Sequence, residues 1–113
     1  MILQFHQKFL ALCLALTFPL LCAAADPLWI DVRSATEYSE AHVEQALNIP
    51  YTEIAEGIAK LGPDKDVLIY VYCRSGRRSG IAKDTLDRMG YTEVVNVGGL
   101  EDALKRAGQE SGQ

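Results

Sequence analysis

Three arginines crowd one cysteine in the run Cys73-Arg74-Ser75-Gly76-Arg77-Arg78-Ser79-Gly80. The thiolate is the nucleophilic form of cysteine, and positive charge and free backbone N–H groups favour it over the thiol. Arg74, Arg77 and Arg78 supply the charge. Gly76 can adopt backbone angles closed to other residues, so the chain can curl and turn successive N–H groups inward as an anion nest. Ser75 and Ser79 add hydroxyls able to donate into that cradle or to cap a following helix. These residue types point to an anionic sulfur nucleophile in a site that also attracts an anionic substrate. The plainer alternative is a small, inert core cysteine beside solubilising arginines. It gives no reason for three guanidiniums within five residues of the thiol.

Spacing then separates reaction classes. A cysteine phosphatase loop has the form C-x5-R, whose arginine clamps the phosphoryl oxygens; here the sixth residue after Cys73 is Ser79. A dithiol oxidoreductase needs C-x-x-C, and the third residue is Gly76. Metal binding needs more ligands than one Cys and a nearby His, so no metal is expected. Sulfur transfer suits a lone thiolate in an anion cradle. Cys73 would attack the outer sulfur of a thiosulfate-like donor, become a persulfide and pass the sulfur to a second nucleophile, a double displacement. A phosphatase or arsenate-reductase-like use of the same thiolate, and a sulfur carrier without turnover, stay open as alternatives.

The elements around the loop follow from pattern. Val67–Tyr72 is an unbroken apolar run rich in β-formers, as in a strand covered on both faces. Cys73 therefore stands at a strand's carboxyl end, where open α/β sheets bind ligands. A helix is expected from about Ser79 to Met89 with Ile81, Ala82, Leu86 and Met89 inward and Gly90 closing it. Leu28–Val32 and Ala46–Ile49 read as short strands. Ser34 and Glu37 have capping-box spacing for a helix to about Ala41. Ile54, Ile58 and Leu61 sit at helical spacing before Gly62-Pro63. Val94–Val97 is the last strand, Gly98-Gly99 a turn, Leu100–Ala107 the last helix and Gly108–Gln113 a frayed tail. Strands alternating with helices predict one α/β domain with a mostly parallel sheet flanked by helices. Asp31 and Arg33 are expected to pair structurally, His42 to cap the first helix, and Tyr70 and Tyr72 to pack on one face.

Composition narrows the class further. The chain has 113 residues, 11 Lys and Arg against 15 Asp and Glu, and a formal charge of −4. That acidic balance argues against nucleic acid or anionic membrane as partner. Residues 9–25 carry no charge, follow Lys8, and end in small residues before Asp26-Pro27. These are the parts of a secretory signal, with cleavage expected after Ala25. Pro19 and the short run argue against a membrane anchor. Residues 26–113 would remain, with charge −5 because Lys8 departs and no acid does. Cys13 and Cys22 depart too. The exported chain keeps only Cys73 and can form no internal disulfide, so its single thiol is expected to be exposed to an oxidising compartment.

Taken together, Asp31-Val32-Arg33, the segment from His42 to Pro50, the loop CRSGRRSG and Gly98-Gly99-Leu100 resemble the single-domain rhodaneses, most nearly their small periplasmic, phage-shock type. The resemblance implies a rhodanese-like α/β fold over residues 26–113 and thiosulfate sulfurtransferase activity without a cofactor. It implies that Cys73 carries the persulfide and that Arg74, Ser75, Gly76, Arg77, Arg78 and Ser79 bind the donor. Acceptors so implied are cyanide in assay and thiols, including a thiol protein. A six-residue loop, here Cys73–Arg78, goes with sulfur transfer in that family, and a loop one residue longer with phosphatase and arsenate-reductase relatives. Two positions depart from the pattern: Gln45 stands where Gly is usual, and no Trp follows Leu100.

Overall fold

The structure, a computed structural model, describes residues 25–111. The expected signal segment, apart from Ala25, lies outside the described residues, as do Gly112 and Gln113. Among the described residues four strands form one sheet: β1 (Leu28–Asp31), β2 (Leu47–Asn48), β3 (Ile69–Cys73) and β4 (Val94–Gly99). All neighbours are parallel, in the order β2-β1-β3-β4. Helices α1 (Ala35–Glu40), α2 (Ile54–Leu61, entered through a 3-10 turn at Tyr51–Glu53), α3 (Arg77–Arg88) and α4 (Leu100–Ser111) connect or follow the strands.

Strand alternation sorts the core into two layers. Ile30, Val32, Ile69, Val71 and Cys73 meet Ile54 and Ile58 of α2 and Ala82 and Leu86 of α3. Trp29, Tyr70 and Tyr72 point the other way, to Val43, Ala46 and Ala103 and Ala107 of α4. The expected shared face of the two tyrosines is thus present, and Trp29 lies against Tyr70 at 4.6 Å between ring centroids. β3 is buried at every position, which explains why it reads as a continuous apolar run.

Several expected boundaries shift. Ser34 and Glu37 form the capping box as spaced, and Gly62 closes α2 at φ 60°. Helix α3, however, begins at Arg77 rather than Ser79, because Gly76 takes φ 101° and starts the turn two residues early. Ile81 points outward at 40% exposure; the inward stripe of α3 is Ser79, Ala82 and Leu86. Gly98-Gly99 belongs to β4 rather than to a turn. The final helix runs on through Gly108 to Ser111, since Tyr70 Oη donates to Glu110 Oε2 at 2.7 Å and fastens that turn to the sheet. Gln45 is exposed and among the described residues no non-glycine residue has positive φ, so Gln45 fits its turn without strain.

The winding places the site. β2 lies on one side of β1 while β3 and β4 lie on the other. β1 and β3 are therefore adjacent strands from which the chain winds in opposite directions, the switch point at which such sheets open a crevice.

Candidate active site

Asp31 and Arg33 build the β1 side of that crevice. Both are buried, and Arg33 grips Asp31 with Nε at 3.0 and 3.2 Å from the two carboxylate oxygens and a terminal nitrogen at 2.8 Å. The Arg33 backbone N–H adds a bond of 2.9 Å to the same carboxylate. The Asp31 hydrogen bond holds the guanidinium pKa above its usual range against the pull of burial. The same guanidinium donates to the Ala41 carbonyl at 2.6 Å, so the pair ties the end of α1 to β1. Structural pairing, as expected for these residues, is what the geometry shows. His42 also meets its expectation: its Nδ1 lies 2.7 Å from the Tyr38 carbonyl at the end of α1, with the two rings stacked.

On the β3 side, Cys73 ends its strand only 1% exposed. This corrects the expectation of an exposed thiol, because the start of α3 folds over the sulfur. Burial here does not mean an apolar setting. The Gly76 N–H donates to Sγ at 3.0 Å, the Ser79 N–H at 3.4 Å, and Ser79 Oγ lies 3.3 Å away. Gly76 caps α3 and Ser79 is the third residue of its first turn, so the sulfur occupies the position of an anion at a helix N-terminus. Burial is the largest single influence on the thiol and pushes its pKa up. The Ser79 hydroxyl and N–H, then the Gly76 and Ser75 N–H groups, outweigh it and bring the pKa down from 9.0 to about 7. Roughly half the cysteine is then thiolate at neutral pH.

The arginines divide. Arg78 is half-buried and pairs with Glu37 of α1 through two bonds of 2.8 and 3.0 Å, joining α3 to α1. Its guanidinium also couples electrostatically to Cys73. Glu37 is held down to about 2 by Arg78 first and the Ser34 backbone N–H second. Arg74 and Arg77 are exposed, and among the described residues no side-chain hydrogen bond or ion pair engages either guanidinium. Of the two expected causes of the thiolate, N–H donors and arginine charge, the donors within hydrogen-bond reach come first, with Arg78 coupled behind them. Ser75 is exposed and contributes through its N–H.

Sequence reasoning missed two contributors. Gly99 passes so close to the loop that a Cβ there would stand 2.5 Å from the Arg74 carbonyl oxygen. Asn96 of β4 reaches both Ser79 and Gly76; a polar residue amid the valines of a strand was the available signal. Beside the loop, Arg33, Glu37, Glu40, Arg74, Leu100 and Asp102 line most of an open cleft of about 530 Å³.

A thiolate cradled by helix N-terminal amides at the switch point of a small parallel sheet defines a class of single-cysteine, anion-directed enzymes. Residues 20–105 match the rhodanese-like domain family, and the chain belongs to it. It is a sulfurtransferase of that family: it is 47% identical over 99 residues to the thiosulfate sulfurtransferase PspE of Escherichia coli K12, covering 88% of this chain and 92% of that one. A solved structure of a rhodanese with anions from E. coli superposes with TM-score 0.65 at 51% identity, over 68% of this chain and 91% of the other. A putative sulfur carrier protein of Bacillus subtilis, YrkF, is 37% identical over 68 residues, 60% of this chain and 36% of that one.

Proposed function

We propose that this chain is an exported, periplasmic thiosulfate sulfurtransferase that works through a Cys73 persulfide. The observation that carries the reading is the set of donors converging on Cys73 Sγ. They favour a thiolate before reaction and stabilise it again as leaving group. The Cys73 thiolate attacks the outer sulfur of thiosulfate. The S–S bond of the donor breaks, sulfite leaves with the bonding electrons, and the enzyme holds the sulfur as Cys73–S–S⁻. An acceptor then attacks that outer sulfur and releases Cys73 as thiolate; cyanide gives thiocyanate and a thiolate gives a persulfide. No net proton, electron or cofactor is required.

Arg74 and Arg77, the unengaged cations at the loop, are the residues for attracting the donor dianion. Arg78, committed to Glu37, orients the start of α3. Ser75, Gly76 and Ser79 take part through the cradle. Six residues from Cys73 to Arg78 support sulfur transfer over phosphate or arsenate chemistry, and hydrolysis of an aryl phosphate would reverse that ranking. Likeness to a putative sulfur carrier supports one second reading, a carrier loaded by a partner. Steady-state thiocyanate production from thiosulfate and cyanide decides between them: sustained turnover lost in Cys73→Ser supports the enzyme, and a single stoichiometric transfer supports the carrier.

Residues 1–25 serve as the export signal and residues 26–113 as the mature domain. Among the described residues no helix is long and apolar enough to cross a membrane. The N-terminal sequence of protein recovered from a bacterial periplasmic fraction tests this: it should begin at Asp26, and a chain retained with Met1 in the cytoplasm would refute export.

A further inference from the structure

Ser79 has one hydroxyl proton and two claimants for it. Asn96 Oδ1 lies 2.7 Å from Ser79 Oγ in the geometry of an acceptor, while Cys73 Sγ lies 3.3 Å away on the other side. The orientation of the Asn96 amide is fixed by two further bonds. Its Nδ2 donates to the Gly76 carbonyl at 3.0 Å, and its Oδ1 accepts the Gly98 N–H at 3.1 Å. Reversing the amide would oppose donor to donor at Gly98 and acceptor to acceptor at Gly76.

The backbone is shaped around this side chain. β3 and β4 pair in simple register to Val71 and Asn96, after which Tyr72 pairs with Gly98, leaving Val97 as the extra residue of a bulge. Bulges re-aim side chains beside functional sites. On the helix side, Gly80 faces the amide, and a Cβ there would meet Asn96 Nδ2 at 3.4 Å, in van der Waals contact.

We propose that Asn96 is a positioning residue for sulfur transfer, competing with Cys73 for the Ser79 proton and so governing how firmly the sulfur is held as thiolate. With the cysteine protonated, S–H donates to Ser79 Oγ and Ser79 donates to Asn96. When the sulfur is a thiolate, the hydroxyl must turn from Asn96 to Sγ, leaving Asn96 Oδ1 with Gly98 alone. The amide therefore moderates the nucleophile: it weakens one donor to the sulfur while bracing the Gly76 turn that supplies another. This deepens the sulfurtransferase reading and rests on it for its consequence in turnover, but the proton competition can be read without any sulfur donor.

The test is the pH dependence of Cys73 alkylation by iodoacetamide in the full chain, for the unaltered protein, Asn96→Ala, Asn96→Asp, Ser79→Ala and the Ser79→Ala/Asn96→Ala double variant. Arg78, the cation coupled to the sulfur, and its partner Glu37 are unchanged throughout. Asn96→Ala frees the Ser79 proton for the sulfur, so the alkylation midpoint falls and the rate below the midpoint rises about threefold, half a pH unit. Asn96→Asp captures the proton with a carboxylate and adds negative charge, so the midpoint rises. In the Ser79→Ala background, Asn96→Ala no longer lowers the midpoint. A residue that merely braced the loop would give the opposite sign in Asn96→Ala, since a looser turn loses donors to the sulfur. A midpoint that stays or rises in Asn96→Ala, or a fall that persists without Ser79, overturns the proposal. Because alkylation needs no thiosulfate, failure here is distinct from failure of the sulfurtransferase reading.

Discussion

At the scale of the residue, Cys73 combines two properties usually found apart: it is buried with the core and yet polarised by donors on Sγ. Hydrogen bonding to the charged form can outweigh desolvation when several donors converge. Ser79 supplies both a hydroxyl and an N–H, so Ser79→Ala should move the alkylation midpoint from about 7 back toward the ordinary 9. A shift of one unit slows alkylation at pH 6 about tenfold; an unchanged profile would remove the hydroxyl from the site. Substituting Arg74 or Arg77 by Ala should chiefly raise KM for thiosulfate with kcat nearly kept, as for lost uniform binding of the donor. Initial rates across thiosulfate concentrations check this, and an unchanged KM in both variants would take these arginines out of donor binding. Cys73 and its neighbouring arginines were legible in the sequence as a candidate site because their types and spacing are local. The commitment of Arg78 to Glu37 was not, since those residues are 41 positions apart and only the winding at the β1–β3 switch point joins them.

Elements explain why the loop holds its shape. Gly76 at φ 101° caps α3, and an L side chain at such angles costs about 1–3 kcal/mol. Gly76→Ala should lower stability by that amount and also raise the alkylation midpoint, because the N–H that donates to Sγ moves with the strained turn. Glu37 fastens α1 to α3 while closing the α1 capping box. Glu37→Gln keeps the capping-box spacing and loses the ion pair, so it should cost up to about 1 kcal/mol, the typical size of a partly exposed pair. The carboxylate pKa is depressed from 4.5 to about 2. Its stabilisation is present above pH 4.5 and is lost as pH falls toward 2. Denaturant melts of Glu37→Gln should therefore converge on those of the unaltered protein across that window; a constant gap would assign the loss to packing. Strand and helix existence was readable from period and caps, while ends were less so. The early start of α3 depends on how Gly76 meets the sulfur, and the extension of α4 depends on Tyr70 holding Glu110. Both are tertiary contacts that a local pattern does not contain.

Across the whole molecule, two helical layers on one parallel sheet leave the switch point as the place where charge can be sheltered. The buried Arg33–Asp31 pair sits there and ties β1 to the end of α1. Removing one partner of a buried pair strands the other, at about 3–5 kcal/mol. Arg33→Ala should thus be among the most destabilising single changes, a sizeable fraction of the stability of a domain this small. Trp29, the chain's one tryptophan, is 2% exposed, so its fluorescence follows the loss directly; a melt within about 1 kcal/mol of the unaltered protein would contradict the role given to the pair. The α/β class and parallel sheet were legible from alternating strand and helix patterns. Strand order was not, because nothing local tells β3 to pair beside β1 on the side away from β2.

Under the proposed function Cys73 takes up sulfur and gives it away. The direct measurement is the intact mass of the reduced protein before thiosulfate, after it, and again after cyanide. The expected result is a gain of one sulfur atom, absent in Cys73→Ser and removed by cyanide. A protein with a titratable free thiol at Cys73 that gains no sulfur from thiosulfate would contradict it.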